Sequence, residues 1–168
     1  GVIPYNFIPA VQKGVESVLV SGPVAGYPMQ DVRVTVYDGK HHPVDSKEVA
    51  FIAAGKKAFL DAIAKARPQV LEPIAELEVT APEQHMGDIS GGLSSKRARI
   101  SGTDSLRGGE IVVKAQVPLS ELEGYAAELK SVTAGRGRYA LDFSHYEPVP
   151  AQVQQKLAEA YKPHHDED

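Results

Sequence analysis

The stretch from Ala115 to Phe143, AQVPLSELEGYAAELKSVTAGRGRYALDF, constrains the fold more than any other part of the chain. An alternating strand, an amphipathic helix carrying Leu122, Tyr125, Ala126, Leu129 and Val132, a glycine-bracketed arginine turn and a second alternating strand with Tyr139, Leu141 and Phe143 follow with almost no slack. Upstream, Ile74 to Thr80 alternates as a strand, Met86, Ile89 and Leu93 have helical spacing, Ala98 to Gly102 reads as a short strand, and Ile111, Val113, Ala115 and Val117 place every other residue inward. The order is βαββαβ, the ferredoxin-like split arrangement, in which four strands bury one face against two helices.

The first part of the chain reads as helix, strand, helix. Asn6 is placed to cap a helix running to Gly22, with Ile8, Val11, Val15, Val18 and Leu19 on one side and Pro9 in the first turn, where its missing N–H costs nothing. Val32, Val34 and Val36 alternate with Arg33 and Thr35, predicting a half-buried strand to Tyr37. Asp45, three residues before Glu48, has capping-box spacing for a helix from Ser46 to about Arg67 with the stripe Val49, Ile52, Phe59, Ile63. Pro68 stops that helix and Pro73 marks the domain boundary, so residues 1–73, 74–149 and 150–168 are expected to be separate pieces of an α+β chain. The last has a helix from Ala151 to Tyr161 and a disordered KPHHDED tail containing His164 and His165.

Two local details sharpen the second part. Ser120 and Glu123 have capping-box spacing, with Leu119 as a staple, which gives Glu123 a structural role. Gly91 and Gly92 should weaken their helix by roughly 1 kcal/mol each relative to alanine. Packing, or close approach of the backbone to something else, must then hold it.

Composition excludes several classes. With no cysteine among 168 residues there is no disulfide framework or thiolate chemistry. No apolar run is long enough to span a membrane and no signal segment opens the chain, so a soluble, cytoplasmic, monomeric protein without membrane partners is expected. The chain begins at Gly1 within GVIPYNFIPAV, apolar residues already in place, and reads as a fragment whose upstream partner strands lie elsewhere. A net charge of −4 argues against coating nucleic acid by bulk electrostatics. Local contact stays open through Lys96, Arg97 and Arg99 and through Arg136 and Arg138.

The chemistry-bearing residues are few. No GxxxxGK[ST] phosphate loop occurs, and GKKAF at Gly55 sits mid-helix, so the chain should neither bind nor hydrolyse GTP itself. His41 and His42, near Asp38 and Asp45, admit a metal or acid/base site, a solvated turn or a macromolecular contact; adjacent side chains on an extended turn diverge, which disfavours the first. His85 and His145 read as surface or edge residues. Arg136 and Arg138 flank Gly137 where a helix ends, fitting either a helix cap at Gly135 with surface-facing arginines or phosphate recognition by guanidinium forks. The cluster at Lys96 leaves the same choice. No exposed-looking aromatic pair accompanies either cluster, so base stacking is not indicated.

The segments GVIPYNFIPAVQKGV, GPVAGYP, VDSKEVAF, LEPI, MGDISGGL, VPLSELEGYAAELKSVTAGRGRYALDF and HYEPVP, in this order, resemble domains IV and V of the translation elongation factor G family from Gly1 to about Pro150. The resemblance implies a partial ribosomal protein S5 domain 2-like α/β domain over 1–73 and a ferredoxin-like domain V over 74–149. It implies that GTP and magnesium belong to a GTPase domain absent from this sequence. It implies as partners the ribosomal RNA of both subunits, the tRNA–mRNA complex and the other domains of the parent protein. His42 falls on the histidine of the family's DG-x-x-H-x-VDS tip loop, with His41 where an aromatic residue is usual, and Gly135, Arg136 and Gly137 fall on its GRG turn. Ser94, Ser95, Lys96 and Arg97 fall on an arginine-rich helix end. Ser95, Ala98, Glu123 and Lys130 depart from the usual residues.

Implied by that resemblance is support of GTP-driven tRNA–mRNA translocation, with His41 and His42 at the tRNA or decoding-site tip and Lys96, Arg97, Arg136 and Arg138 on ribosomal RNA. A specialised paralogue in recycling or protection is the alternative. A small enzyme using His41, His42 and Asp45, or a ferredoxin-like protein-interaction module, are the rivals from other classes. An exposed, unpaired sheet edge or an apolar cleft would favour the module, and a basic patch joining the two arginine clusters would favour RNA.

Overall fold

The computed structural model describes residues 2–44 and 46–163. Asp45 and the tail histidines His164 and His165 lie outside them. In chain order the elements are α1 (Ile8–Val20), α2 (Glu48–Ala66), β1 (Leu71–Pro82), α3 (Met86–Ser95), β2 (Arg99–Leu106), β3 (Glu110–Pro118), α4 (Tyr125–Val132), β4 (Arg138–Pro148) and α5 (Ala151–Ala160), with 3-10 turns at Tyr5–Phe7, Glu83–His85 and Leu119–Leu122. They form two compact units: the chain up to Val70 together with the stretch from Pro150 onward, and Leu71–Val149.

In the first unit α1 lies along α2, and two glycines set how close they come. A Cβ on Gly14 would overlap the carbonyl oxygen of Ile52, and one on Gly55 would stand 2.6 Å from that of Val11. Gly55 is therefore a packing residue. Val15, Val18, Phe59 and Ile63 form the core, with Leu19, Met29 and Leu60 against it. The buried stripe of α2 is Phe51, Gly55, Phe59, Ile63, a strict i, i+4 series, whereas Val49 is exposed. The sequence reading had the stripe's phase wrong at its start because β-branched apolar residues outrank glycine in any hydrophobicity pattern. α5 belongs to this unit: Gln154 accepts a hydrogen bond from the Val70 N–H (2.9 Å) and donates to the Pro68 carbonyl (3.1 Å), and the Tyr161 hydroxyl lies 3.3 Å from that of Ser21.

Three expectations for this unit are corrected. Asn6 is not a cap: it sits inside the 3-10 turn closed by Phe7 N–H to Pro4 C=O (3.0 Å), and α1 begins without a side-chain cap. The turn itself consumes a donor that the cap would have served. α2 starts at Glu48 rather than Ser46, and the Glu48 carboxylate goes to Lys13 at 2.8 Å. Val32 to Tyr37 forms no strand, and Val32, Val34 and Val36 are exposed. Alternation shows that a segment suits a half-buried sheet; only a partner backbone makes it one, and no ladder forms on it among the described residues.

The second unit is a four-stranded antiparallel sheet in the order β2-β3-β1-β4, with α3 and α4 supplying the helical residues of its core, so the α+β class and the ferredoxin-like order read from the sequence stand. Leu77, Val79 and Ala81 of β1 and Ile111, Val113, Ala115 and Val117 of β3 pack with Ile89, Leu93, Tyr125 and Leu129. Each large side chain so buried contributes about 1.5–3 kcal/mol. Ile89 and Leu93 thus hold α3 despite its glycines. The expected Ser120–Glu123 capping box is absent: Ser120 lies in a 3-10 turn, and Glu123 and Gly124, the latter at φ +74°, form a tight turn before α4. Tyr139, Leu141 and Phe143 keep their inward parity opposite Val79, Leu77 and Ala75, yet they are partly exposed because β4 is an edge strand that the helices only half cover.

Candidate nucleic-acid interface

The 38–46 loop is braced by its own polar groups. Asp38 Oδ1 accepts the Gly39 N–H at 2.8 Å. The Ser46 hydroxyl accepts the His42 N–H at 3.0 Å and donates to the His42 carbonyl at 2.6 Å, so one side chain satisfies both backbone groups of one residue. His41 and His42 are both exposed. The His41 ring lies 6.5 Å from that of Phe7, which stacks on Phe51 at 4.3 Å. Among the described residues no group of His, Asp and Glu could hold a metal ion. Ser46 is the residue that the sequence reading missed here; its serine-for-cap spacing was absorbed into the helix.

The glycine-bracketed turn is rigid for identifiable reasons. Thr133, fully buried, donates from Oγ1 to the Leu129 carbonyl (2.6 Å) and accepts the Gly137 N–H (2.7 Å). The Gly135 N–H reaches back to the Lys130 carbonyl at 2.7 Å, the long bond of a Schellman cap. Ala134 and Gly135 both have positive φ, 51° and 79°. Gly137 is required by space, since a Cβ there would stand 2.8 Å from Thr133 Oγ1 and 2.9 Å from Leu129 Cγ. Arg136 emerges from this turn exposed and without an ion pair among the described residues. Arg138, two residues on, is held by Glu110 at 2.9 and 3.3 Å. That bond, with the field of Arg136 also contributing, keeps the Glu110 carboxyl below its usual range.

The Lys96 cluster is committed differently. Lys96 Nζ lies 2.8 Å from Glu128 and 6.0 Å from the centre of the Tyr125 ring. Arg97, at φ +57°, closes two bonds on Glu72 and a third on Glu121. Its pKa is raised first by the bonds to Glu72, against partial desolvation, with Glu121 adding to the rise. Arg99 pairs with Glu147, which also meets His145 Nε2 at 2.7 Å.

The two arginine clusters do not merge. Arg138 stands opposite Thr80 on β1, whereas Arg97 reaches Glu72, eight residues back along the same strand; at 3.3 Å per residue the separation is about 26 Å. The basic patch joining them, which would have counted for RNA over a protein module, is not formed. An exposed aromatic pair, which the sequence reading did not expect, is present: Phe143 and Tyr146 on β4 are 62% and 55% exposed with ring centres 5.3 Å apart. A register shift between Ile74 and Ala75 lies between their positions on the facing strand, a signal not visible in alternation alone. A shallow apolar hollow lined by Pro73, Leu119, Leu141 and Phe143 adjoins Phe143.

Comparison with known proteins divides the chain near the same point before β1, although the second match continues into α5. The family described as "Elongation factor G, domain IV" matches residues 1–67, and that described as "Elongation factor G C-terminus" matches residues 69–157. The chain is 50% identical over 157 residues to "Elongation factor G" of Aquifex pyrophilus, covering 94% of this chain and 22% of that protein. A crystal structure of a protein from Thermus thermophilus is similar with a TM-score of 0.74 at 39% identity, over 95% of this chain and 24% of that one. The chain thus spans about a fifth of the length of the curated relative that it matches. No helix among the described residues is long and apolar enough to cross a membrane.

Proposed function

Since the chain belongs to the elongation factor G family, we propose that it is the ribosome-contacting part of a translational GTPase and supports GTP-driven movement of tRNA and mRNA. In this reading residues 1–73 are the later part of domain IV, of S5 domain 2-like kind, and residues 74–149 are domain V. GTP and its magnesium are held outside this stretch, which carries no phosphate loop. The chemistry of the stretch itself is mechanical and electrostatic. His41 and His42, on a loop braced by Ser46, occupy the decoding region as a tip that discourages backward movement.

The observation that carries the reading is Arg136. A cation on a glycine-tightened turn whose backbone is held by Thr133, and without an ion pair among the described residues, is available to phosphate, and its planar fork loses less freedom per hydrogen bond than an ammonium would. Lys96, Arg97 and Arg138 are secondary contacts in the same scheme, each able to meet phosphate only by exchanging a carboxylate partner. Sedimentation of the chain with purified ribosomes across a salt series tests this. Arg136→Ala should weaken binding and lower the slope of log K against log salt by about one; an unchanged slope removes the phosphate contact. For the tip, His42→Ala in a full-length factor carrying this stretch should slow tRNA–mRNA movement while leaving GTP hydrolysis unchanged, and equal loss of both rates would overturn that assignment.

A further inference from the structure

Of the eight lysines and arginines between residues 71 and 149, five are matched with carboxylates: Lys96, Arg97, Arg99, Lys114 and Arg138. The remaining three, Arg107, Lys130 and Arg136, form no ion pair among the described residues. They are not scattered. Lys130 and Arg136 flank the end of α4, and β4 then starts with Arg138 opposite Thr80, toward the Pro82 end of β1. Arg107 is at the tip of the β2–β3 hairpin, beyond the closing pair Leu106–Glu110, and Glu110 stands opposite Pro82 itself. The three lysines and arginines of this unit without an ion pair among the described residues thus collect at one end of its sheet.

We infer that Arg107 is a further RNA-phosphate contact of this unit, acting with Arg136 across the Pro82 end of the sheet. The inference rests on the reading that this unit faces RNA, and adds to it a residue and a footprint. Glu110 links the two arginines structurally: it closes the hairpin that carries Arg107, and its bond to Arg138 ties that hairpin to the start of β4. Three strand spacings separate β2 from β4, about 14 Å, so the two arginines reach different phosphates of one backbone. Room for that backbone exists at both points, because a Cβ added to Gly108, Gly109 or Gly135 would meet nothing within 4 Å.

A protein partner is the less suitable occupant. Protein contacts of ordinary strength centre on aromatic or other large anchors, and the exposed aromatic pair of this unit stands toward the opposite end of β4, Phe143 opposite Ala75 and Tyr146 opposite Pro73.

The test is ribosome binding by the chain across a salt series, for Arg107→Ala, Arg107→Lys, Arg136→Ala and the double alanine variant. Arg107 is exposed on an open hairpin, so its loss leaves the fold intact. Each alanine should lower the salt slope by about one and the pair by about two, with lysine at 107 retaining the slope. A changed slope for Arg136→Ala with none for Arg107→Ala overturns this inference and leaves the RNA-facing reading standing. No change for either overturns both. An effect of Arg107→Ala on ribosomes that vanishes on protein-free, magnesium-folded large-subunit RNA assigns Arg107 to an acidic protein surface and overturns the phosphate contact.

Discussion

Arg97 closes two parallel hydrogen bonds, 2.7 and 2.9 Å, on the carboxylate of Glu72, a residue only 8% exposed. The arginine leaves the end of α3 in the left-handed conformation and reaches β1, while its Nε holds Glu121 in the 3-10 turn before α4 at 2.8 Å. One side chain therefore ties three elements of the second unit together. Removing it would strand a desolvated carboxylate, which costs more than the net gain of the pair. Arg97→Ala should destabilise this unit by about 3 kcal/mol in denaturant unfolding, and adding Glu72→Gln should return a large part of the loss. A loss below about 0.5 kcal/mol would show the pair to behave like an exposed surface bridge.

Glycines at different places in the chain should respond in opposite directions to the same substitution. Gly14→Ala drives a methyl group into the α2 backbone at Ile52 and should cost about 2 kcal/mol or more. Gly91→Ala points into open space on α3 and should stabilise by about 1 kcal/mol. Thermal unfolding of the two variants separates the effects.

Ala134 carries a Cβ at φ 51° in the turn before Arg136. Left-handed backbone costs a non-glycine residue about 1 kcal/mol, so Ala134→Gly should raise stability by several tenths to 1 kcal/mol without altering ribosome binding. A fall in stability would mean that the methyl packs favourably enough to offset the strain.

Burial pushes the Tyr125 hydroxyl up to about 12, with Glu128 and then Tyr139 adding to the rise. The neutral phenol is the form that the fold prefers, so its contribution is complete below the unfolded value near pH 10. It is lost as pH climbs from there toward about 12, because the unfolded chain ionises first. Such a shift corresponds to no more than a few kcal/mol. Tyr125→Phe should flatten the decline of stability over that interval relative to the unsubstituted chain, as read by denaturant midpoints between pH 9 and 12.

Ser46 makes both hydrogen bonds to the His42 backbone that brace the tip loop. Ser46→Ala should speed hydrogen exchange of the His42 amide by roughly fivefold, the equivalent of about 1 kcal/mol, with exchange in α1 and α2 unchanged. Unaltered exchange at His42 would mean that other contacts hold the loop.

Much of this architecture was legible in residue order. Alternation at Ile111, Val113, Ala115 and Val117 fixed a buried strand face, and Ile89 with Leu93 fixed the side of α3 that faces it. The arginine turn was legible as a helix end because Gly135 and Gly137 each meet a local requirement, one of dihedral angle and one of space. Less legible were features that depend on a distant partner. Both capping boxes satisfied a spacing rule, but Ser120 went into a 3-10 turn and the Glu48 carboxylate went to Lys13.

The candidate site divides along the same line. His41, His42 and Arg136 were identifiable from their loops and turns, since exposure there follows from local chain geometry. The commitment of Lys96 to Glu128 was decided by the approach of α3 to α4, and those of Arg97 and Arg138 to Glu72 and Glu110, with the gathering of Arg107 and Arg136, depended on strand register. Sequence by itself determined the helices and the four strands of the second unit, because those follow periodicity along a few turns or pleats, whereas the alternation at Val32–Tyr37 found no partner strand among the described residues. Only the tertiary structure decided which charges meet, because residues 25 to 32 positions apart become neighbours solely through the pairing of strands and the packing of helices over them.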